Sequence, residues 1–187
     1  WSCDDLTATD IMHIEQNLSN YEGIVIRSRF PMNESFLSKA TSLEFIARSG
    51  AGMENIDVPY CEKRNIRLFN APEGNRNAVA EHALGMLLSL FNNLSRCDSE
   101  VRQGIWRREE NKGVELDGKT VGIIGYGNNG SAFAQKLRGF NVRVLVYDKY
   151  KTEFGNEYLE TADWDTICRE ADVLSLHITQ NEETRRL

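Results

Sequence analysis

A short apolar run, Val121-Gly122-Ile123-Ile124, leads directly into Gly125-Tyr126-Gly127-Asn128-Asn129-Gly130, and this stretch constrains the fold more than any other. The run is apolar throughout, as expected of a strand buried on both faces of a parallel sheet. Behind the glycines, Ser131 to Arg138 carries apolar residues at helical spacing. A second apolar run, Val142 to Tyr147, then ends in Asp148. Strand, glycine turn, helix, strand, acid is the order of a dinucleotide-binding βαβ unit. A glycine-rich turn with no ligand would have no need of the second strand and the acid in that register.

Each residue type has a physical task. Gly125 permits the tight turn out of the strand, Gly127 lets a pyrophosphate approach the backbone, and Gly130 lets the helix pack against the strand. The free N–H groups around Asn128, Asn129 and Ser131 face the phosphates, with the positive end of the helix dipole behind them. Asp148 follows near the ~20-residue offset expected of a carboxylate that accepts hydrogen bonds from the adenosine ribose. An anion there repels a 2′-phosphate, which predicts NAD rather than NADP; Lys149, directly after it, works against that preference.

Net charge is −6 over 187 residues, with no run of Lys or Arg that could track a phosphate backbone, so nucleic-acid binding is disfavoured. No apolar segment approaches the ~20 residues needed to cross a bilayer. The start, Trp1-Ser2-Cys3-Asp4-Asp5, lacks the pattern of a signal peptide, and it lacks an initiator Met, as a piece of a longer protein would. Cys3, Cys61, Cys97 and Cys168 have no CxxC spacing. Reduced thiols in a cytoplasmic protein are expected, with neither disulfides nor a metal site.

Read in order, Thr7 to Leu18 is a predicted helix capped by Thr7 or Thr9, and Gly23 to Ile26 a strand buried on both sides. Asn33 caps a helix over Glu34 to Ala40. A strand over Leu43 to Ala47 enters the turn Arg48-Ser49-Gly50-Ala51-Gly52. Pro59 opens a helix through Lys63, and Ile66 to Phe69 is a strand ending in Asn70-Ala71-Pro72. Asn75 to Leu94 is the longest helical pattern, with Val79, His82, Ala83, Met86, Leu87 and Phe91 as its apolar stripe, extended by Leu90 and Leu94. Amphipathic character continues to Trp106, and a domain boundary is placed near Asn93 to Arg96. Beyond Asp148 lie a polar stretch to Glu157, a short edge strand at Tyr158 to Glu160, a helix over Asp163 to Glu170 capped by Thr161, and a buried strand, Val173 to Leu176, leading to His177-Ile178-Thr179. Only the first half of a doubly wound nucleotide domain, and a little more, is expected in the chain.

Several stretches in a fixed order resemble the D-isomer-specific 2-hydroxyacid dehydrogenases, in particular their D-3-phosphoglycerate dehydrogenase branch. They are Arg48-Ser49-Gly50-Ala51-Gly52-Met53-Glu54-Asn55-Ile56-Asp57, Asn70-Ala71-Pro72, Ala78-Val79-Ala80-Glu81-His82, Gly104-x-Trp106, Gly118 to Gly127, Asp148, and Leu176-His177 followed by Glu183-Thr184. The resemblance implies an α/β chain of two Rossmann-like parallel-sheet domains, both incomplete here. Residues 1–94 correspond to a flavodoxin-like substrate domain and residues 95–187 to the NAD-binding domain. It implies an active-site cleft between the domains, a homodimer, and hydride transfer between NAD and a small 2-hydroxy or 2-keto acid, as in serine biosynthesis. The family's catalytic Arg, Glu and His are expected beyond Leu187, so no catalytic residue is assigned, and the chain alone is expected to be inactive.

What the resemblance carries over is narrower. Gly50, Ala51 and Gly52 match the turn whose amides bind the substrate carboxylate, and Arg48 a position near the substrate's distal end. Ala71 and Val79 match positions beside the nicotinamide. Asn128 and Asn129 match the pyrophosphate pair, where relatives often have an apolar residue at Asn129. His177, Ile178 and Thr179 match the loop over the cofactor, where relatives commonly have proline at Thr179. Plainer roles compete with these: Arg48 could pair with Glu54 or Asp57, His177 could serve as a cap, His82 could sit at an interface, and Glu182-Glu183 could be a solvated face. A non-catalytic NAD(H)-sensing scaffold, like the corepressor relatives, is the alternative function.

Overall fold

The computed structural model describes residues 2–152 and 154–186. Trp1, Glu153 within the polar stretch after Asp148, and Leu187, beyond which the catalytic residues are expected, lie outside the described residues. The chain divides into two compact units, Trp1–Asn75 and Arg76–Leu187.

The first unit contains α1 (Ile11–Asn17), β1 (Gly23–Ile26), α2 (Glu34–Leu37), β2 (Phe45–Arg48), α3 (Val58–Lys63) and β3 (Arg67–Asn70). Its sheet is parallel throughout, in the order β1-β2-β3. Helix caps are short side-chain acceptors, each taking a free amide of the first turn. Asn33 accepts from Phe36 at 3.0 Å and Asp57 from Tyr60 at 3.1 Å. At α1 the cap is Asp10, which accepts from Met12, rather than Thr7 or Thr9. The Thr7 hydroxyl is occupied instead, donating to Asp5 at 2.7 Å.

Ile24, Ile46 and Leu68 share a row that packs on the buried side chains of all three helices, Ile14 from α1 with Leu18 just after it, Phe36 and Leu37 from α2, and Cys61 from α3. The opposite row, Val25, Ala47 and Phe69, is open, with Val25 73% exposed. The expectation that β1 is buried on both sides is therefore wrong within this unit. Successive right-handed crossovers in one direction leave every connecting helix on the same face.

The second unit contains α4 (Arg76–Phe91), α5 (Leu94–Arg102), β4 (Thr120–Ile124), α6 (Asn128–Lys136), β5 (Arg143–Tyr147), β6 (Glu160–Thr161), α7 (Trp164–Glu170) and β7 (Val173–Leu176). The sheet is again parallel, in the order β6-β5-β4-β7. This is the 3-2-1-4 arrangement that opens the doubly wound order. Because the chain reverses direction between β6 and β7, helices cover both faces. Val121, Ile123, Val144 and Val146 pack with α4 and α6. Ile124 and Leu145 pack with Ile167 of α7. Burying each such aliphatic side chain contributes about 2 kcal/mol. Gly122 lets α7 approach closely, since a Cβ there would fall 2.7 Å from Ile167 Cγ2.

Several details depart from expectation. The long helix stops at Phe91 because Asn93 adopts the left-handed conformation, φ 53°, before α5 begins. Its packing along α6 places α4 in the second compact unit, which starts at Arg76. Strand β7 is not buried: Leu174 and Leu176 are exposed because it forms one edge of the sheet. At α7 the cap is Asp163, which accepts from Thr166 at 2.7 Å, while Thr161 ends β6.

Candidate functional site

The reversal of strand order between β4 and β7 creates a crevice at the carboxyl ends of the strands, the place where open sheets of this kind bind ligands. Gly125 leaves β4 at φ 94°, a conformation in which only glycine is comfortable. A Cβ there would fall 2.6 Å from the His177 carbonyl oxygen. A Cβ on Gly130 would overlap the Gly125 carbonyl oxygen, so its absence is what lets α6 start against the strand. Around Gly127 nothing lies within 4 Å of an added Cβ. That open, side-chain-free space at the amino terminus of α6 fits a pyrophosphate.

Asp148 closes the far side. Its Oδ2 accepts from the Tyr126 amide at 2.7 Å, and its Oδ1 from the Tyr150 and Lys151 amides at 2.9 and 3.1 Å. Burial acts to raise its pKa, but these three amides and the nearby Lys151 ammonium outweigh it and hold the carboxyl below its ordinary range. The carboxylate is thus fixed and ionised beside the glycine turn, with lone pairs left for ribose hydroxyls. Lys151 Nζ donates to the Tyr126 carbonyl at 2.8 Å, and the Tyr126 ring stacks on Phe154 at 4.7 Å.

The other nucleotide-side residues take distinct places. Asn128 opens α6 and its carbonyl accepts from the Ser131 hydroxyl. Asn129 has its side-chain oxygen buried with no hydrogen-bond partner. An unsatisfied buried acceptor costs about 1–3 kcal/mol, so Asn129→Leu is expected to stabilise the fold by about 1 kcal/mol, read as a raised urea midpoint.

His177 donates its amide to the Ile124 carbonyl at 2.8 Å, extending the edge of β4, and its ring packs 5.2 Å from Phe133. Ser175 Oγ lies 2.9 Å from its Nε2. Burial lowers its pKa, which keeps the ring neutral at physiological pH. The side chain buttresses the glycine turn from below, and Ile178 packs against the same turn. Thr179 is held through its carbonyl by the Thr184 hydroxyl at 2.7 Å, and Asn181 exchanges two further hydrogen bonds with Thr184. This closed turn stiffens the loop without a proline.

In the first unit, Gly50 sits at the carboxyl end of β2 with φ 154°. Its own amide donates to the Arg48 carbonyl, so of the three expected anion-binding amides this one is occupied. Asn70 Nδ2 donates to Ala51 at 2.8 Å and the Ala71 amide to Gly50 at 3.0 Å, which laces the loop to the end of β3. The Arg48 guanidinium covers Gly50 and pairs with neither Glu54 nor Asp57. It donates to Asn55 Oδ1 at 3.3 Å and to the Ser49 carbonyl at 3.0 Å. Asn55, to which the sequence alone assigns no role, also donates to the carbonyls of Arg27 and Phe30. The Glu54 carboxylate lies against Gly52. Val79 is half-buried on α4 in the second unit, whereas Ala71 is exposed in the first.

The family description "D-isomer specific 2-hydroxyacid dehydrogenase, NAD binding domain" matches residues 84–187. The chain belongs to the D-isomer-specific 2-hydroxyacid dehydrogenases. It is 33% identical over 171 residues to a D-3-phosphoglycerate dehydrogenase of Archaeoglobus fulgidus, covering 90% of this chain and 32% of that one. It is 34% identical over 166 residues to a hydroxypyruvate reductase of Thermotoga maritima, covering 88% and 53%. Among solved structures, the D-lactate dehydrogenase of Aquifex aeolicus complexed with NAD and lactic acid superposes with a TM-score of 0.83 at 32% identity, over 95% of this chain and 54% of that one. The chain thus spans between about a third and about a half of the length of these relatives. The cofactor of this family member is NAD. Among the described residues, no cluster of His, Cys, Asp and Glu is placed to hold a metal ion, and no helix is long and apolar enough to cross a membrane.

Proposed function

We propose that the protein transfers hydride between NAD and a D-2-hydroxy acid, D-3-phosphoglycerate or a related small acid, as a cytoplasmic homodimer. The observation that supports the acid is Arg48. Its hydrogen bonds go to a neutral amide and a carbonyl, so its charge is left for an anion beside the Gly50-Ala51-Gly52 turn. The Ala51 and Gly52 amides would take the substrate carboxylate once the Glu54 carboxylate swings off Gly52, and Arg48 would take the distal, phosphorylated end. By the family resemblance Ala71 and Val79 would each hold a nicotinamide-side position, and Gly125, Gly127, Gly130 and Asp148 would seat the rest of the cofactor. NAD, when bound, supplies the hydride acceptor.

An exposed apolar row on α4 and the start of α5, Met86, Leu90 (74% exposed) and Leu94, supports the homodimer, since such a row on a helix is costly to leave in water. Oxidation of 3-phosphoglycerate would make the protein part of serine biosynthesis.

The test is NADH consumption by the full-length protein with phosphohydroxypyruvate, hydroxypyruvate and pyruvate. No turnover with any of them would overturn the dehydrogenase reading, and NADH binding without turnover would favour the sensing scaffold. Arg48→Met is expected to raise KM for the phosphorylated acid about tenfold or more, with a smaller effect on kcat, as loss of a charge-assisted contact away from the reacting carbon should.

A further inference from the structure

Strands β5 and β7 flank β4, so any contact between the loops that follow them spans the crevice where the order reverses. Among the described residues, one ion pair does so. Lys149 Nζ, next to Asp148, lies 2.6 Å from Glu183 Oε2 in the loop after β7. The Tyr150 hydroxyl lies 3.5 Å from the same oxygen. Glu183 is held in place by the Thr179–Thr184 turn on which it sits. By sequence alone, Glu182-Glu183 reads as a solvated face and Lys149 as a cation that works against the preference for NAD.

We propose that Glu183 is a specificity residue: by engaging Lys149 across the crevice it withholds that cation from a 2′-phosphate and so enforces NAD over NADP. Two lysines lie within three positions of Asp148, and both are committed. Lys149 is on Glu183, and Lys151 is on the Tyr126 carbonyl. A 2′-phosphate carries up to two negative charges and would meet two carboxylates, Asp148 and Glu183, with both of these ammoniums already engaged. The pair holds the Lys149 pKa up and the Glu183 pKa down, so both stay ionised across the neutral range. An exposed ion pair adds little to folding stability, but here its consequence is which charge faces the ligand.

Binding of NADH and NADPH to the full-length protein tests this, with wild type, Glu183→Gln, Glu183→Asp and the double variant Glu183→Gln/Lys149→Met. The ratio of NADPH to NADH affinity is expected to rise about fivefold in Glu183→Gln, the scale of one charge contact at a solvated site. It should return toward wild type in the double variant and stay at wild type in Glu183→Asp. A ratio unchanged in Glu183→Gln, or a rise that persists in full without Lys149, would overturn the proposal. The readout is cofactor binding alone, so the result does not depend on which 2-keto acid the protein reduces. A wild type that binds neither nucleotide would overturn it together with the nucleotide seat.

Discussion

Gly130→Ala is expected to destabilise the second unit by about 3 kcal/mol or more and to remove NADH binding with it. The added methyl would overlap the Gly125 carbonyl oxygen and approach His177 Cβ to 3.4 Å. The first obstacle is backbone, so no rotamer change can relieve it. Either α6 moves off β4 or the Gly125 peptide turns, and each disturbs the amides that face the phosphates. Urea unfolding reads the stability, and an NADH titration of the full-length protein reads the binding. Gly127→Ala is the matched contrast. Nothing lies within 4 Å of its added methyl, so stability should stay within about 0.5 kcal/mol of wild type. NADH affinity should still fall, because the methyl takes the space the pyrophosphate needs. Unchanged affinity in Gly127→Ala would refute the glycine turn as the phosphate seat.

Asp148→Asn is expected to weaken NADH binding about tenfold to a hundredfold, the scale of a lost charged acceptor. It should also cost about 2 kcal/mol of stability. The carboxylate accepts from Tyr126 on one oxygen and from Tyr150 and Lys151 on the other. An amide can accept on one side only, and its NH2 would then face an N–H donor. The pH dependence has a definite sign. Burial pushes the Asp148 pKa up, but the three amides and Lys151 bring it below its ordinary value of 3.8 in the folded state. Its stabilisation is therefore fully present above the unfolded value and is lost as pH falls through the folded one. The advantage of wild type over Asp148→Asn should stay constant from neutrality to about pH 5 and shrink below about pH 4. Urea midpoints measured across that range would show it, and an advantage that grew with acid would contradict the assignment.

The parts that could be read from the sequence were those whose cause is local. Gly125, Gly127 and Gly130 with a strand on one side and a helix on the other leave few alternatives, and Asp148 at the end of the next strand completes them. Asn33 and Pro59 mark helix starts through their own chemistry. Caps are ambiguous in the sequence where several acceptors lie close together. Thr7, Thr9 and Asp10 are all able to cap α1, and Asp5 decided the outcome by engaging Thr7. The same competition replaced Thr161 with Asp163 at α7. The apolar spacing runs on to Leu94, and nothing in it signals that Asn93 turns left-handed.

By itself the sequence determined the βαβ nucleotide unit, the alternation of strands and helices, and the family, because turn chemistry and apolar periodicity act over a few residues. Tertiary structure alone decided which sheet faces are covered, since that follows from the direction in which the strands are wound. It also decided the partners of charged side chains. Arg48 meets Asn55 rather than Glu54 or Asp57, and Lys149 meets Glu183 from a loop 34 positions away. Long charged side chains choose partners by distance in space, and only the strand order β6-β5-β4-β7 brings the loops after β5 and β7 to the same crevice.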